Sequence, residues 1–557
     1  MWRVRTTKTG SGNTAIQVVR REHQRTIIVK HIGTAKTADE VNKLCRQAEN
    51  YIRNKAGLMP LFPALFGQEN QLTQTVVEQV INRLDGQNAY HTFAHTFLSY
   101  FYNHLGFAAL KNDLLRDLSL IRIIEPCSKR RSLLLLEKYF ALHYGRTTMQ
   151  QSLAEILKQK ESIETIAVSF AKKEYAFDFS VVFYDVTTLY YESFTEDEDI
   201  TDATGNLIEK GLRKKGFGKE PKIGQPIIVI GLIVTGDGFP VSYEVFEGNT
   251  FEGHTFIPII KSFKQKYAIE DLTIVADAAM ISFDNIEKLK EHVLSYIVGA
   301  RIANLKQSEM RQISSALIGE AAGELEVAKK DGATTQIETE KGLLLCEFSI
   351  KRYKKDKWEM EKQIAKAEKL VKGNNEGKRT KFLMLKKGEK EKKKGKKQKE
   401  QLYMMNNTLI EQTKMLLGIK GYYTNLFEKA TRDKPVTEQD IIDQYHNLWR
   451  VEKAFRIAKS DLQARPIFHQ KRENIQAHIL IVFVSLCMSK SIELLTKLSI
   501  QKVKDLIWDV LEIQLIDIPS GKIFLKQINA SENPMVELLQ KLQNVDIDKN
   551  NKKSRTI

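Results

Sequence analysis

Between residues 178 and 300 the hydrophobic period alternates between two and about 3.6, and no other feature constrains the fold as strongly. "SVVFYDVTTLYY" reads as a strand. "QPIIVIGLIV", the turn "TGDG" and "FPVSYEVFEGN" form a hairpin by their alternation and turn chemistry. "TFIPIIKSFKQKY" follows as a helix, "DLTIVADAAM" as a strand, "SFDNIEKLKEH" as a helix and "LSYIVGAR" as a strand. Three strands, a helix, a strand, a helix and a strand predict a mixed α/β sheet flanked by helices.

One of those strands carries a charge where its neighbours call for Val or Ile. Asp185 stands inside "FYDVTTLYYES", and an unpaired carboxylate buried there would cost several kcal/mol, so it needs a partner. In α/β sheets functional side chains collect at strand ends. Asp277 closes "LTIVADAAM" and faces Asp185 if the two strands are neighbours. The third candidate is Glu452 in "DQYHNLWRVEKAFRIAKSDL", predicted as one long helix from about residue 438 to 460. On such a helix Tyr445, Glu452 and Lys459, seven apart, share a stripe that drifts only about 20° per step. Arg456, four residues after Glu452, lies on nearly the same side. By helix pattern alone, Glu452 and Arg456 also fit an ordinary surface ion pair. Three convergent carboxylates suit two Mg²⁺ or Mn²⁺ ions, hard cations that prefer oxygen, and such a pair clamps both oxygens of an in-line phosphoryl displacement.

At 557 residues the chain exceeds one core and divides into about three or four domains. Its net charge of +17 favours a polyanionic partner, nucleic acid before membrane. The four cysteines (Cys45, Cys127, Cys346, Cys487) form no CxxC, which argues against a zinc ribbon and a disulfide scaffold and suits a reducing cytosol. No secretory h-region opens the sequence. "ILIVFVSLCM" (479–488) is about half a membrane span and reads as a buried helix. No phosphate-cradling GxxxxGK[ST] occurs, so ATP use is not expected.

The expected organisation starts with a small β-containing region (1–60) and a helical region (61–177) that includes "TQTVVEQVINRLDG", whose Lys and Arg suit DNA binding as well as the solvated surface of a packing domain. An α/β core follows in two parts, 178–304 and 421–495, around an insertion at 305–420. A helical tail (496–557) closes the chain. Residues 351–400 hold 21 Lys/Arg against 8 Asp/Glu, the densest positive charge in the chain, with "KKGEKEKKKGKKQKEQ" as a low-complexity loop.

These residues resemble the DDE transposases of bacterial insertion sequences, specifically the group with a Tyr-Arg-Glu-Lys signature and a ribonuclease-H-like core. "FYDVTTLYYES" is similar to the family's first-aspartate strand, "IVADAAMIS" to its second-aspartate segment, and "YHNLWRVEKAFRIAKSDLQARPIFHQKRENIQAHILI" to its glutamate helix. Tyr445, Glu452 and Lys459 fit the signature. Its arginine position holds Leu448, and Arg456 is the geometric substitute, since Arg450 lies about 200° around the helix from Glu452.

The resemblance implies a mixed five-stranded ribonuclease-H-like sheet interrupted by the insertion, with Asp185, Asp277 and Glu452 as catalytic metal ligands. It also implies that Tyr445 and Lys459 contact DNA phosphates; Arg456 is expected to join them on its helix geometry alone. The implied chemistry is metal-dependent cleavage at the element's terminal inverted repeats and attack of the 3′-hydroxyl on target double-stranded DNA. A homodimer in the DNA complex is expected, with no membrane partner and a bacterial cytoplasmic, nucleoid-associated location. Trp358, in the insertion, is a candidate for base stacking; His254, His469 and His478 read as structural. Alternative readings are a structure-specific nuclease of the same fold without strand transfer, an inactive transposase-derived DNA-binding protein, and a carboxylate-pair hydrolase acting on sugars.

Overall fold

The computed structural model describes residues 2–10, 12–22, 25–55, 84–216, 224–278, 283–292, 294–318, 331–371, 380–385, 403–429 and 435–554. Most of "TQTVVEQVINRLDG", the end of "IVADAAMIS" and the low-complexity lysine tract lie outside the described residues. The chain divides into two compact units, 1–85 with 516–522, and 86–515 with 523–557.

In the first unit, β1 (Trp2–Lys8), β2 (Thr14–Glu22) and β3 (Arg25–Ala35) form an antiparallel sheet in that order. Helix α1 (Ala38–Lys55) lies across it. Ile16, Val18, Ala35 and Ala48 form the buried centre.

The second unit begins its helices with α2 (Thr92–His104), α3 (Asp113–Ile124), α4 (Lys129–Phe140), α5 (Arg146–Lys158) and α6 (Lys160–Tyr175). Asp117 is fully buried on α3, where Arg116, His95 and Tyr144 all donate to its carboxylate. The sheet strands follow in sequence: β4 (Val181–Tyr190), β5 (Ile227–Val234), β6 (Pro240–Glu247), helix α7 (Glu252–Lys266), β7 (Thr273–Ala276), helix α8 (Phe283–Glu291) and β8 (Ser295–Ala300). The observed succession is the one predicted from the periodicity, and the sheet is mixed: β4, β7 and β8 are parallel, while β5 is antiparallel to both β4 and β6.

The sheet is larger than the expected five strands. Its order is β9-β10-β11-β8-β7-β4-β5-β6, eight strands in all, with β9 (Thr334–Thr339), β10 (Gly342–Phe348) and β11 (Ile419–Thr424) added beside β8. The region between 305 and 420 reads from sequence as lysine-rich and helical, yet "TTQIETEKGLLLCEF" folds as a hairpin turning at Gly342 (φ +111). Its second strand pairs with β11, satisfying backbone groups that would otherwise form an open edge. Helix α9 (Ile350–Val371) follows this hairpin.

The expected single helix over 438–460 is three pieces: α10 (Glu438–His446), α11 (Trp449–Arg456) and a π-helical turn, Ile457–Asp461. At the first break the Asn447 amide donates to Asp443 O at 3.0 Å, and Leu448 N bonds Tyr445 O three residues back, which tightens the turn. Helix α12 (Arg472–Thr496) is long and apolar enough to cross a membrane by length and composition. Most of its apolar window, 83%, is buried inside the protein, which makes it a core helix. The expected helical tail is also corrected. After a helix at Ile500–Trp508 come strands Leu511–Asp517 and Lys522–Ile528, joined across a turn with Gly521 at φ +65; "LEIQLID" alternates over its first five residues and "KIFLKQI" carries the β-favouring Ile and Phe.

Candidate active site

The site is built on the register of two neighbouring strands. In the β4–β7 ladder Phe183 pairs with Val275 and Tyr184 with Ala276. One step further along each chain come Asp185, still within β4, and Asp277, the first residue after β7, so the register brings the two aspartates level. The direction of Asp185 follows from alternation along β4. The Tyr184 hydroxyl is 2.7 Å from Thr255 Oγ1 on α7, so Asp185 points to the opposite face. There α11 packs on β4, and Thr187 and Leu189, which share the Asp185 face, line a small cavity with Phe455 and Lys459.

Asp185 is half-buried and Asp277 exposed, so the cost of holding these charges is smaller than the apolar run suggests. Each carboxylate accepts the next backbone N–H at 2.7 Å: Val186 N to Asp185 Oδ1, and Ala278 N to Asp277 Oδ1.

Tyr445, buried at the end of α10, donates from its hydroxyl to Asp277 Oδ1 at 3.4 Å. Burial and then the Asp277 charge push its phenol pKa up, so the hydroxyl stays a donor. The ring packs on Tyr422 at 4.7 Å between centroids, and the Lys420 ammonium sits 4.4 Å above it. Room for that ring depends on Gly299 of β8, since a Cβ there would overlap the Tyr445 hydroxyl.

Glu452 is exposed on α11. It acts electrostatically on Tyr445 and Lys420, the two groups on which Asp277 also acts. Lys420 is thus a cation on which Glu347, Asp277 and Glu452 all act. Burial, then the nearby Arg352, lower its pKa, and Glu347, Asp277 and Glu452 oppose that shift.

The donor set offers oxygen alone, the type that hard divalent cations take. Among the described residues no group of three or more His, Cys, Asp or Glu side chains is arranged to hold a metal ion. The level aspartates fit such an ion in donor chemistry, and the third carboxylate is on the helix that covers their face.

The remaining candidates lie further out. Lys459 is half-buried in the π turn beside Thr187 and Phe455. Arg456 is exposed and acts on Asp461. Arg450 donates to Gly236 O and pairs with Asp237 at 3.4 Å, clasping the β5–β6 turn. Leu448, at the signature's arginine position, is buried at 6% exposure and serves the core. Trp358 is exposed on α9, with the Lys362 ammonium 4.8 Å from its ring. His478 is buried and His254 stacks edge-on with Phe251.

Lys420, Arg352 and Gly299 were not legible as site residues in the sequence. Lys420 carried a usable signal, a charge inside the strand "IKGYYT", the same anomaly that marks Asp185. Arg352 is one basic residue among many on α9 and carried none.

Residues 180–488 match the family described as Transposase DDE domain. No curated protein is matched. Among solved structures, a piggyBac transposase synaptic complex with hairpin DNA is 9% identical with a TM-score of 0.33, covering 75% of this chain and 70% of that one. A Mos1 transposase paired-end complex with left transposon end is 11% identical with a TM-score of 0.15, covering 47% of this chain and 72% of that one. The family match includes Asp185, Asp277 and Glu452 and spans more than half of the sequence: the chain belongs to the transposase DDE domain family.

Proposed function

We propose that this protein cuts DNA at the ends of its own insertion element and joins the freed 3′-hydroxyl to target DNA, working from a ribonuclease-H-like core formed by 178–304 and 421–495. The observation that carries this reading is the pair of aspartates, Asp185 in β4 and Asp277 just beyond β7, brought level by the ladder register, with the helix of Glu452 packed on β4. Family membership and the +17 charge support DNA as the substrate.

Asp185, Asp277 and Glu452 would hold Mg²⁺ or Mn²⁺. When bound, such ions supply Lewis-acid activation of the attacking and leaving oxygens. The chain's own groups do the rest. Tyr445 orients the Asp277 carboxylate through its hydroxyl, which makes it a positioning residue where the signature alone suggested a phosphate contact. Lys420 offsets the mutual repulsion of the acidic cluster before DNA arrives, a charge it shares with Glu347, its partner across the ladder. Lys459, on the Asp185 face, and the exposed Arg456 are assigned to phosphates of the strand being cut. The helices before residue 178 are assigned to binding element ends. A homodimer would bring two ends together.

The test begins with the DNA flanking the gene, where imperfect inverted repeats bounded by short direct duplications are expected. Purified protein should nick such an end with Mn²⁺ or Mg²⁺ and join it to a target plasmid. Cutting without joining would leave a nuclease of the same fold. No cutting under any divalent metal would overturn the reading.

A further inference from the structure

Away from the three carboxylates the second unit contains a cavity of about 280 Å³ whose wall is cationic. Arg122, Lys129, Arg130, Arg465, His469 and His478 line it, and among the described residues no Asp or Glu does. Lys129 and Arg122 are 3% and 4% exposed, so two basic side chains are enclosed with no carboxylate among the described lining residues. Such burial is strongly unfavourable unless an anion completes it.

The hydrogen bonds leave these cations available. His478 Nε2 is 3.1 Å from Ala464 O, so that nitrogen donates and Nδ1 is the acceptor. Lys129 Nζ, 3.3 Å from Nδ1, therefore donates there and keeps further N–H groups. Arg122 donates only to backbone carbonyls, Leu462 O, Gln463 O and Cys127 O, which orient the guanidinium without neutralising it. Burial first and then the Arg122 charge hold Lys129 well below its ordinary pKa, and burial followed by Lys129 and Arg122 does the same for His478; a bound anion would favour the protonated amine.

We infer that this pocket binds a phosphate group, from the DNA strand or as a free phosphate. The DNA source rests on the transposase reading, whereas the pocket's anion affinity does not. Position favours DNA. Ile467 N donates to Tyr190 O, five residues along β4 from Asp185, so the pocket's Pro466–Phe468 edge is about 17 Å from the carboxylates. That is roughly half a turn of duplex. DNA passing the aspartates would present a second phosphate at this mouth, with the exposed Phe468 beside it.

The experiment uses the full chain. Inorganic phosphate should raise the thermal midpoint of the wild-type protein above the value in chloride of equal ionic strength. Lys129→Met, which replaces the enclosed charge by a side chain of similar volume, should fold and lose that increment. Arg130→Gln at the exposed rim gives a second variant should the first fail to fold. If the phosphate comes from DNA, both variants weaken binding of an element-end duplex, reduce the salt slope by about one, and free phosphate competes. Unchanged DNA affinity with loss of the phosphate increment assigns the pocket to free phosphate. No increment in the wild type, with DNA affinity unaffected in both variants, overturns the inference. Asp277→Ala separates the two proposals: it should end cleavage and leave the phosphate increment intact.

Discussion

Asp277 stands level with Asp185, one residue beyond the paired Ala276 and Tyr184 on adjacent parallel strands. Two carboxylates brought level by backbone register are favoured by a cation between them. Asp185→Asn or Asp277→Asn should therefore lower DNA cleavage by about three orders of magnitude, as removing one member of an acting unit does. Neither should weaken folding. Nicking of an end duplex, with circular dichroism as a control, checks this.

Glu452 reports on metal separately from fold because it is exposed. Glu452→Gln keeps its size and removes its charge. The Mg²⁺ or Mn²⁺ concentration for half-maximal cleavage should rise, and chelation should abolish cleavage reversibly in the wild type. An unchanged metal requirement would remove Glu452 from the ligand set.

Tyr445 and Gly299 form a linked pair. Tyr445→Phe keeps the ring under Lys420 and removes only the bond to Asp277, so activity should fall about tenfold to a hundredfold, the usual range for a group behind a ligand. Gly299→Ala places a methyl where the Tyr445 hydroxyl lies and should cost about 1–3 kcal/mol as well as activity. The double substitution, Gly299→Ala with Tyr445→Phe, should recover part of the stability and none of the activity.

Lys420 predicts an alkaline signature. Its folded pKa is lowered, mainly by burial, from 10.5. Between the folded value and 10.5 the unfolded chain binds the proton more tightly, so this group makes stability rise with pH across that window. Lys420→Met should flatten the rise in thermal midpoint measured over those pH values. Cleavage by the wild type should decline through the same window as the shared cation is lost.

Asp117 anchors the helices before the sheet. Burial opposes its charge, but the bonds from His95, Arg116 and Tyr144 prevail and its pKa lies below the ordinary 3.8. The resulting stability is complete above the unfolded pKa and is lost as pH falls through the folded one. Asp117→Asn should cost about 3 kcal/mol at pH 7, because it removes the buried charge on which His95, Arg116 and Tyr144 converge, while Arg116 keeps only its pair with Asp113. Denaturant unfolding at pH 7 and below pH 4 should show the cost shrinking in acid.

What the sequence determined by itself was local. Period and turn chemistry specify the strands and helices from Val181 to Ala300 in their observed order, because alternation and 3.6-residue repeats are properties of short stretches. Asp185 was legible because a charge among β-branched residues violates a local rule. Tertiary structure decided the rest. Whether Asp277 stands level with Asp185 depends on strand register, and the pairing of β10 with β11 joins residues over 70 positions apart. The break at Asn447 swings Tyr445 inward to Asp277 while Glu452 stays exposed, which a seven-residue spacing on one continuous helix does not describe. Lys420 becomes a site residue only because β11 lies beside β8. Each of these depends on contacts between distant segments, and the free energy of such contacts is set by packing and pairing that no local window contains.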